Sequence, residues 1–199
     1  MESNEINVTS FQDGDDLVVH HVNDIDEVIN EWTTKMKIGG YFTYEHIRDG
    51  EVIDTWQEPN LVVDEGITYA LDASFSGGVP ITTWYVGVYK NNYTPIAGNV
   101  ASTFAGAGIA NEANSEYDEA ARPTWTEAGV TSKTVTNSAS PAVFTFNTTV
   151  TIYGAFLISA NTKGGLTGTL AAASKFSSSR AMLAADVLNV TYTITGTST

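Results

Sequence analysis

Apolar and polar positions along the chain change period twice, and each change marks a predicted element. In "DIDEVINEWTTKMKIGG", residues Ile25, Val28, Ile29, Trp32 and Met36 fall at i, i+3, i+4, i+7 and i+11, a helical stripe. Asp24 with Glu27 three residues later forms a capping-box-like start. Acids crowd the first turns, Lys35 and Lys37 the last, and Gly39-Gly40 ends the predicted helix. The preceding residues, Met1 to Val22, show no sustained period and read as a polar arm. "YFTYEHIRDGEVIDTWQEP" reads as a hairpin closed by a two-residue turn at Asp49-Gly50. A short helix follows, with Asp64 as its cap and Ile67, Ala70, Leu71 and Phe75 as its inner side, stopped by Gly77-Gly78 and Pro80.

After Pro80 the texture becomes Thr, Ser, Ala, Gly and β-branched residues. The predicted strands are Ile81–Tyr89, Thr126–Thr136, Ala142–Ile152, Gly154–Ala160 and Val187–Ile194, with Gly154 marking a bulge or bend between two of them. The last strand alternates cleanly, with Leu188, Val190, Tyr192 and Ile194 on one face. A long Ala/Gly/Asn segment, Thr94 to Ala121, links the first of these strands to the rest, and turns are expected at Asn137 to Pro141 and Thr162 to Gly168. Short strands separated by such turns predict a mainly β chain: a jelly-roll or β-sandwich domain over residues 39–199, behind an N-terminal arm and amphipathic helix over residues 1–38. "TTWYVGVYK", Thr82 to Lys90, is apolar on both faces. Trp84, Val86 and Val88 are expected to enter the core. Tyr85 and Tyr89 then point outward and need a second cover, from the front segment or from a neighbouring subunit.

Composition narrows the classes. There is no cysteine among the 199 residues, which removes disulfides and thiolate metal sites. The start is acidic and polar, unlike a signal peptide, and no apolar run is long enough to span a bilayer. The four Asn-x-Ser/Thr matches read as chance in a Thr-rich chain. Net charge is −14, and 17 of the 23 acids lie at or before Asp72. Such a balance repels phosphates, argues against direct nucleic-acid binding, and suits solubility or docking on a basic surface.

The candidates for chemistry are weak on spacing alone. His20-His21 sits among acids, yet adjacent histidines diverge on a strand and no i, i+4 histidine pair exists. "DGDD" lacks the spacing of a calcium loop. "TKGGLTGTL" has its lysine ahead of the glycines, the wrong order for a phosphate loop, and reads as a turn. Glu116 with Asp118 or Glu119 is a carboxylate pair in a surface segment. The expectation is no enzyme, no cofactor and no metal. The aromatics Trp84, Tyr85, Tyr89, Trp125, Phe144, Phe146, Tyr153 and Phe156 carry most of the predicted core.

At "TTWYVGVYK", "YDEAARPTWT", "VTNSASPAVFTFNTTVTIYGAFLIS" and "NTKGGLTGTLAAASKFSSSRAMLAADVLNVTYT" the chain resembles a group of tailed-bacteriophage virion proteins. The resemblance covers roughly Gly39 to Thr195, and its motifs are structural in kind. It implies a small jelly-roll or β-sandwich protein of the phage particle, with capsid decoration (cement) as the expected role. Its partner would then be the major capsid protein, on the outer capsid surface of a virion assembled in the host cytoplasm. A homo-oligomer, dimer or trimer, suits the local symmetry of a capsid; no membrane is implied. The predicted partner or self-association interface is Ile25, Val28, Ile29, Trp32, Tyr85 and Tyr89. The alternative is a head-fibre or tail-fibre binding module for host-surface glycan or protein, with exposed aromatics near Trp125 or Tyr117 as a stacking platform.

Overall fold

The computed structural model describes residues 36–198, and Lys37–Thr197 forms one compact unit. Two antiparallel sheets face each other across a shared core, the arrangement of a β-sandwich. The first sheet runs β2 (Glu51–Pro59), β1 (Met36–Arg48), β10 (Val187–Ser198), β6 (Thr134–Thr136), with β7 (Ala142–Thr145) also on β10. The second runs β3 (Leu61–Val62), β9 (Leu170–Met182), β8 (Val150–Ile158), β4 (Trp84–Tyr89), β5 (Thr124–Trp125). Two helices lie in connections within the second sheet: α1 (Asp64–Leu71), extended by a π-helical turn at Asp72–Ser76, between β3 and β4, and the one-turn α2 (Ala101–Phe104) between β4 and β5. Among the described residues no helix is long and apolar enough to cross a membrane.

The β1–β2 hairpin forms at the predicted turn, with Asp49 and Gly50 at φ of 53° and 82°. Met36 to Gly40, predicted as the end of a helix, are instead the first residues of β1. The reason is local: from Met36 the sequence continues "MKIGGYFTYEHIR", and Phe42, Tyr44 and His46 alternate inward with period two. The rest of the predicted helix, and the arm before it, lie outside the described residues.

Stacked aromatics dominate the shared core. Phe42 lies on Tyr192 at 4.1 Å, Tyr44 on Trp56 at 4.9 Å, and Phe176 of the opposite sheet meets Tyr44 edge-on at 4.7 Å. Leu188, Val190 and Tyr192 point inward as the alternation of β10 predicts. Other expectations change. Of Thr126–Thr136 only the last three residues are a strand, β6; β5 ends at Trp125, just before the predicted start, and a loop joins the two. Gly154 marks a bulge, at a register shift against β9, but inside one continuous strand β8 rather than between two. The 13-residue β9, "LAAASKFSSSRAM", was not predicted at all.

A second core lies on the outer side of the second sheet, built from Tyr89, Phe156, Ile158, Leu170 and Ala173 and closed by Ala101, Phe104, Ala105 and Ala110. The segment predicted as a link is therefore a lid folded onto the sheet. Its backbone is tied down by Ala113 N–H to Val88 O and Lys90 N–H to Asn111 O, and Asn91 Nδ2 clamps Ala107 O and Ile109 O. Phe104 meets Tyr89 and Phe156 edge-on at 5.8 and 5.3 Å. Gly87 makes this packing possible: a Cβ there would come within 2.2 Å of the Phe156 ring. Gly87→Ala is expected to destabilise the fold by roughly 1–3 kcal/mol through overpacking. Urea unfolding would show the loss, and faster amide exchange across residues 91–113 would assign it to the lid.

Candidate functional site

Three polar centres were the places to look for chemistry, and each is closed on itself. At the first, Asp186 at the start of β10 accepts from His46 Nε2, from Arg48 Nε and Nη2, and from the Leu183 N–H, all at 2.7 Å. Arg48 holds the Asp186 carboxyl well below the usual carboxylate range; burial opposes this, and the Leu183 N–H and His46 reinforce it. A surface hollow of about 190 Å³ opens here, lined by Arg48, Asp49, Asp186 and the apolar Leu183, Ala184 and Ala185. The Asp186 carboxylate is taken up by His46, Arg48 and the Leu183 N–H, and the guanidinium is bound in a fork to it.

At the second centre Arg122 and Glu112 form an ion pair with fully buried side chains. Arg122 Nε and Nη2 donate to the two Glu112 carboxylate oxygens at 2.8 and 2.7 Å. Nη1 and Nη2 also donate to Ala160 O and Gly165 O, at 2.7 and 2.9 Å. The Gly164 N–H donates to Glu112 at 2.7 Å. The Lys-Gly-Gly run is thus the turn between β8 and β9, as predicted, and its glycines dock on this pair. Lys163 sits over the Tyr117 ring at 3.8 Å and donates to Tyr117 O and Glu119 O. Its charge therefore serves packing.

At the third, the buried Asn137 accepts the Tyr192 N–H at 2.7 Å and donates to Val190 O at 3.1 Å. Since β7 pairs with Val187–Val190 and β6 with Thr193–Thr195, its amide stands in for the missing strand between them. The turn at Asn137 to Pro141 is where it was expected, and its asparagine continues the sheet.

The predicted carboxylate pair dissolves into structural contacts. Glu116 pairs with Lys90 at 2.7 Å; burial raises its pKa, but Lys90 and the Ser115 N–H outweigh that and bring it below the ordinary value. Glu119 accepts the Thr145 N–H through both oxygens. Burial pushes the phenols of Tyr44, Tyr89, Tyr117 and Tyr192 up, so all four are neutral at physiological pH. Among the described residues no three His, Asp or Glu side chains gather closely enough to hold a metal ion. The histidine pair His20-His21 and the "DGDD" run lie outside the described residues.

The predicted interface residues separate. Ile25, Val28, Ile29 and Trp32 lie outside the described residues. Tyr85 is half-buried in β4, opposite Ile158 and Thr124. Tyr89 requires a correction: it is fully buried, covered by the chain's own lid, with its hydroxyl donating to Ser174 O at 3.0 Å. Its cover is part of the segment expected to be a link, Ala101, Phe104, Ala105 and Ala110. Tyr117 and Trp125 are buried as well, at 1% and 4% exposure, so neither offers a stacking platform for a sugar.

Several large apolar side chains also stand on the surface. On α1 the predicted inner face points out: Ile67 and Leu71 are about half exposed, and Phe75 on the π-helical turn is 78% exposed. Val79 and Val130 are also exposed. The inner face is Glu65, Gly66 and Tyr69. Glu65 accepts the Ala101 and Leu170 N–H groups at 2.8 and 2.7 Å. Gly66 lies so close to Ala171 that a Cβ would come within 2.3 Å of its carbonyl oxygen. Tyr69 meets Trp84 edge-on at 5.3 Å and accepts the Ile81 N–H. Asp64 begins the helix as its first residue; the capping position is Val63, with no side-chain cap. No family model matches the chain, and no curated protein matches it.

Proposed function

We propose that the chain is a structural protein of a tailed-phage particle: a jelly-roll-like capsid decoration protein that binds the outer shell and bridges its subunits. The observation that carries this reading is the contrast between interior and surface. The buried ion pair and the Asp186 cluster are closed by partners within the fold, while Ile67, Leu71 and Phe75 stand exposed along one helical rod. Grouped exposed apolar residues mark an interaction surface. Modest contacts of this kind, repeated over many copies on a lattice, bind through multivalency.

The motifs that carry the phage resemblance support the same reading, because they coincide with the joints of the sandwich. Trp84 to Tyr89 is β4, the Asn137 run continues the β10 ladder, and the Lys163 run docks on the buried ion pair. Labelling intact virions of the encoding phage with an antibody to this chain tests the proposal. Label distributed over the head is expected. Label confined to the tail would contradict decoration and favour the fibre-type module.

A further inference from the structure

From the exposed face of α1 and its surrounding charge, we infer that Ile67, Leu71 and Phe75 form the docking ridge for a partner surface with an apolar depression ringed by lysine or arginine. The inference deepens the decoration reading and rests on it for the identity of that partner, a capsid subunit. Three observations support it.

The first is geometry. Ile67, Leu71 and Phe75 are spaced by four residues along one helical rod, so they line one side of it. The π-helical turn at Asp72–Ser76 carries Phe75 past the end of α1 before the left-handed Gly77 stops it, at φ 78°. The second is rigidity. The opposite side of the rod is fixed to the second sheet by the Glu65 carboxylate, by the close approach of Gly66 to Ala171, and by the Tyr69–Trp84 contact. A ridge seated this way loses little freedom when it is bound.

The third is charge, and it selects the occupant. From Asp64 to Gly78 the rod carries three acids and no lysine, arginine or histidine, and one of the acids, Glu65, is turned to the sheet. Asp64 and Asp72 flank the ridge on the same rod, and neither has an ion-pair partner among the described residues. A second copy docked ridge to ridge about a two-fold axis would bring these acids against their own images. Residues 1 to 35 carry nine acids against one lysine, so charge disfavours that segment as well. A partner with basic groups around an apolar depression satisfies both the ridge and its rim.

The test uses the full chain, labelled with nitrogen-15, titrated with a short amphipathic helical peptide of leucine and lysine. Amide shifts centred on Gly66 to Val79 are expected. Binding should weaken roughly tenfold in Leu71→Ser or Phe75→Ser, and should weaken again as salt is raised. These side chains are exposed, so both variants should melt with the wild type. Three results would overturn the inference: shifts centred elsewhere, equal binding of a leucine–glutamate peptide, or binding untouched by either substitution. Dissociation of a dimer by Phe75→Ser in sedimentation would assign the ridge to a second copy. Altered signals from residues 1–35 in that variant would assign it to the chain's own segment. Failure here is separable from failure of the decoration reading. Virions that bind Phe75→Ser as tightly as wild type overturn the ridge alone. Absence of the chain from the capsid removes the capsid as partner without moving the mapped face.

Discussion

Arg122→Met is expected to lower stability by roughly 3–5 kcal/mol, because it leaves the Glu112 carboxylate buried without its counter-charge. The substitution keeps most of the side-chain volume, so a cavity is not the cause. It removes both bonds to Glu112 and the donors to Ala160 O and Gly165 O. Arg122 also lies 5.5 Å over the Phe156 ring, so the change reaches the lid core. Guanidinium unfolding of the single variant measures the loss. The double variant Glu112→Leu with Arg122→Met sharpens it. Removing both charges ends the charge imbalance, and an apolar pair of similar size often does well in such places. Here the recovery should be partial, since the Gly164 N–H, Ala160 O and Gly165 O all lose their partner. Full recovery would mean that the Lys-Gly-Gly turn does not depend on this pair.

The second large effect is expected at Asp186, and it depends on pH. Arg48 holds the carboxyl below the ordinary range in the folded protein. A carboxylate with a lowered folded pKa contributes its stability above its unfolded value, near 3.9, and loses it as pH falls from there toward the folded value. Wild type should therefore lose stability progressively from about pH 5 downward. Asp186→Asn keeps the shape but loses the charge that Arg48 and His46 face. It should cost roughly 2–4 kcal/mol at neutral pH. Its stability should also fall less steeply on acidification than that of wild type. Parallel acid slopes for the two proteins would show that Asp186 is not the group responsible. Arg48 is partly exposed and can recover water, which places the expected cost below that of Arg122→Met.

These two centres were not legible in the sequence, for a shared reason. Asp186 meets His46 across 140 residues, and nothing local in either stretch announces the other. Glu112 and Arg122 are only ten residues apart, but Glu112 is one acid among 23. Elements set by local chemistry were legible. Asp49-Gly50 gives the turn its positive φ values, and the alternation of β10 places Leu188, Val190 and Tyr192 inward. The strand β9 was hidden because alanine and serine have little strand preference and no apolar alternation to read. Its place is set by β8, which pairs along its length. The face of α1 was misread because apolarity pointed to Ile67, Leu71 and Phe75. Close approach to β9 instead selects the smallest residue, Gly66, and a carboxylate with backbone donors to meet, Glu65.

The same logic resolves the two apolar faces of β4. Val86 and Val88 enter the core between the sheets, with Trp84 packed at its border. On the other side Tyr89 is covered by a lid rich in alanine, glycine and asparagine, a composition that reads as a linker. Phe104 is the lid's one large buried side chain against that sheet, and Gly87 makes room for the Phe156 ring it packs on. The apolar ridge proposed as a docking surface is therefore not on this strand. It is on α1, where burial within the chain was expected.

The proposed role, decoration of a tailed-phage capsid, is tested most directly by a reconstruction of virions carrying the wild-type chain beside virions carrying Phe75→Ser. The account predicts sandwich-shaped density on the outer shell with α1 turned toward a capsid subunit, and weaker occupancy in the variant. Density found only on the tail, or on the head with α1 facing solvent and full occupancy in the variant, would contradict it.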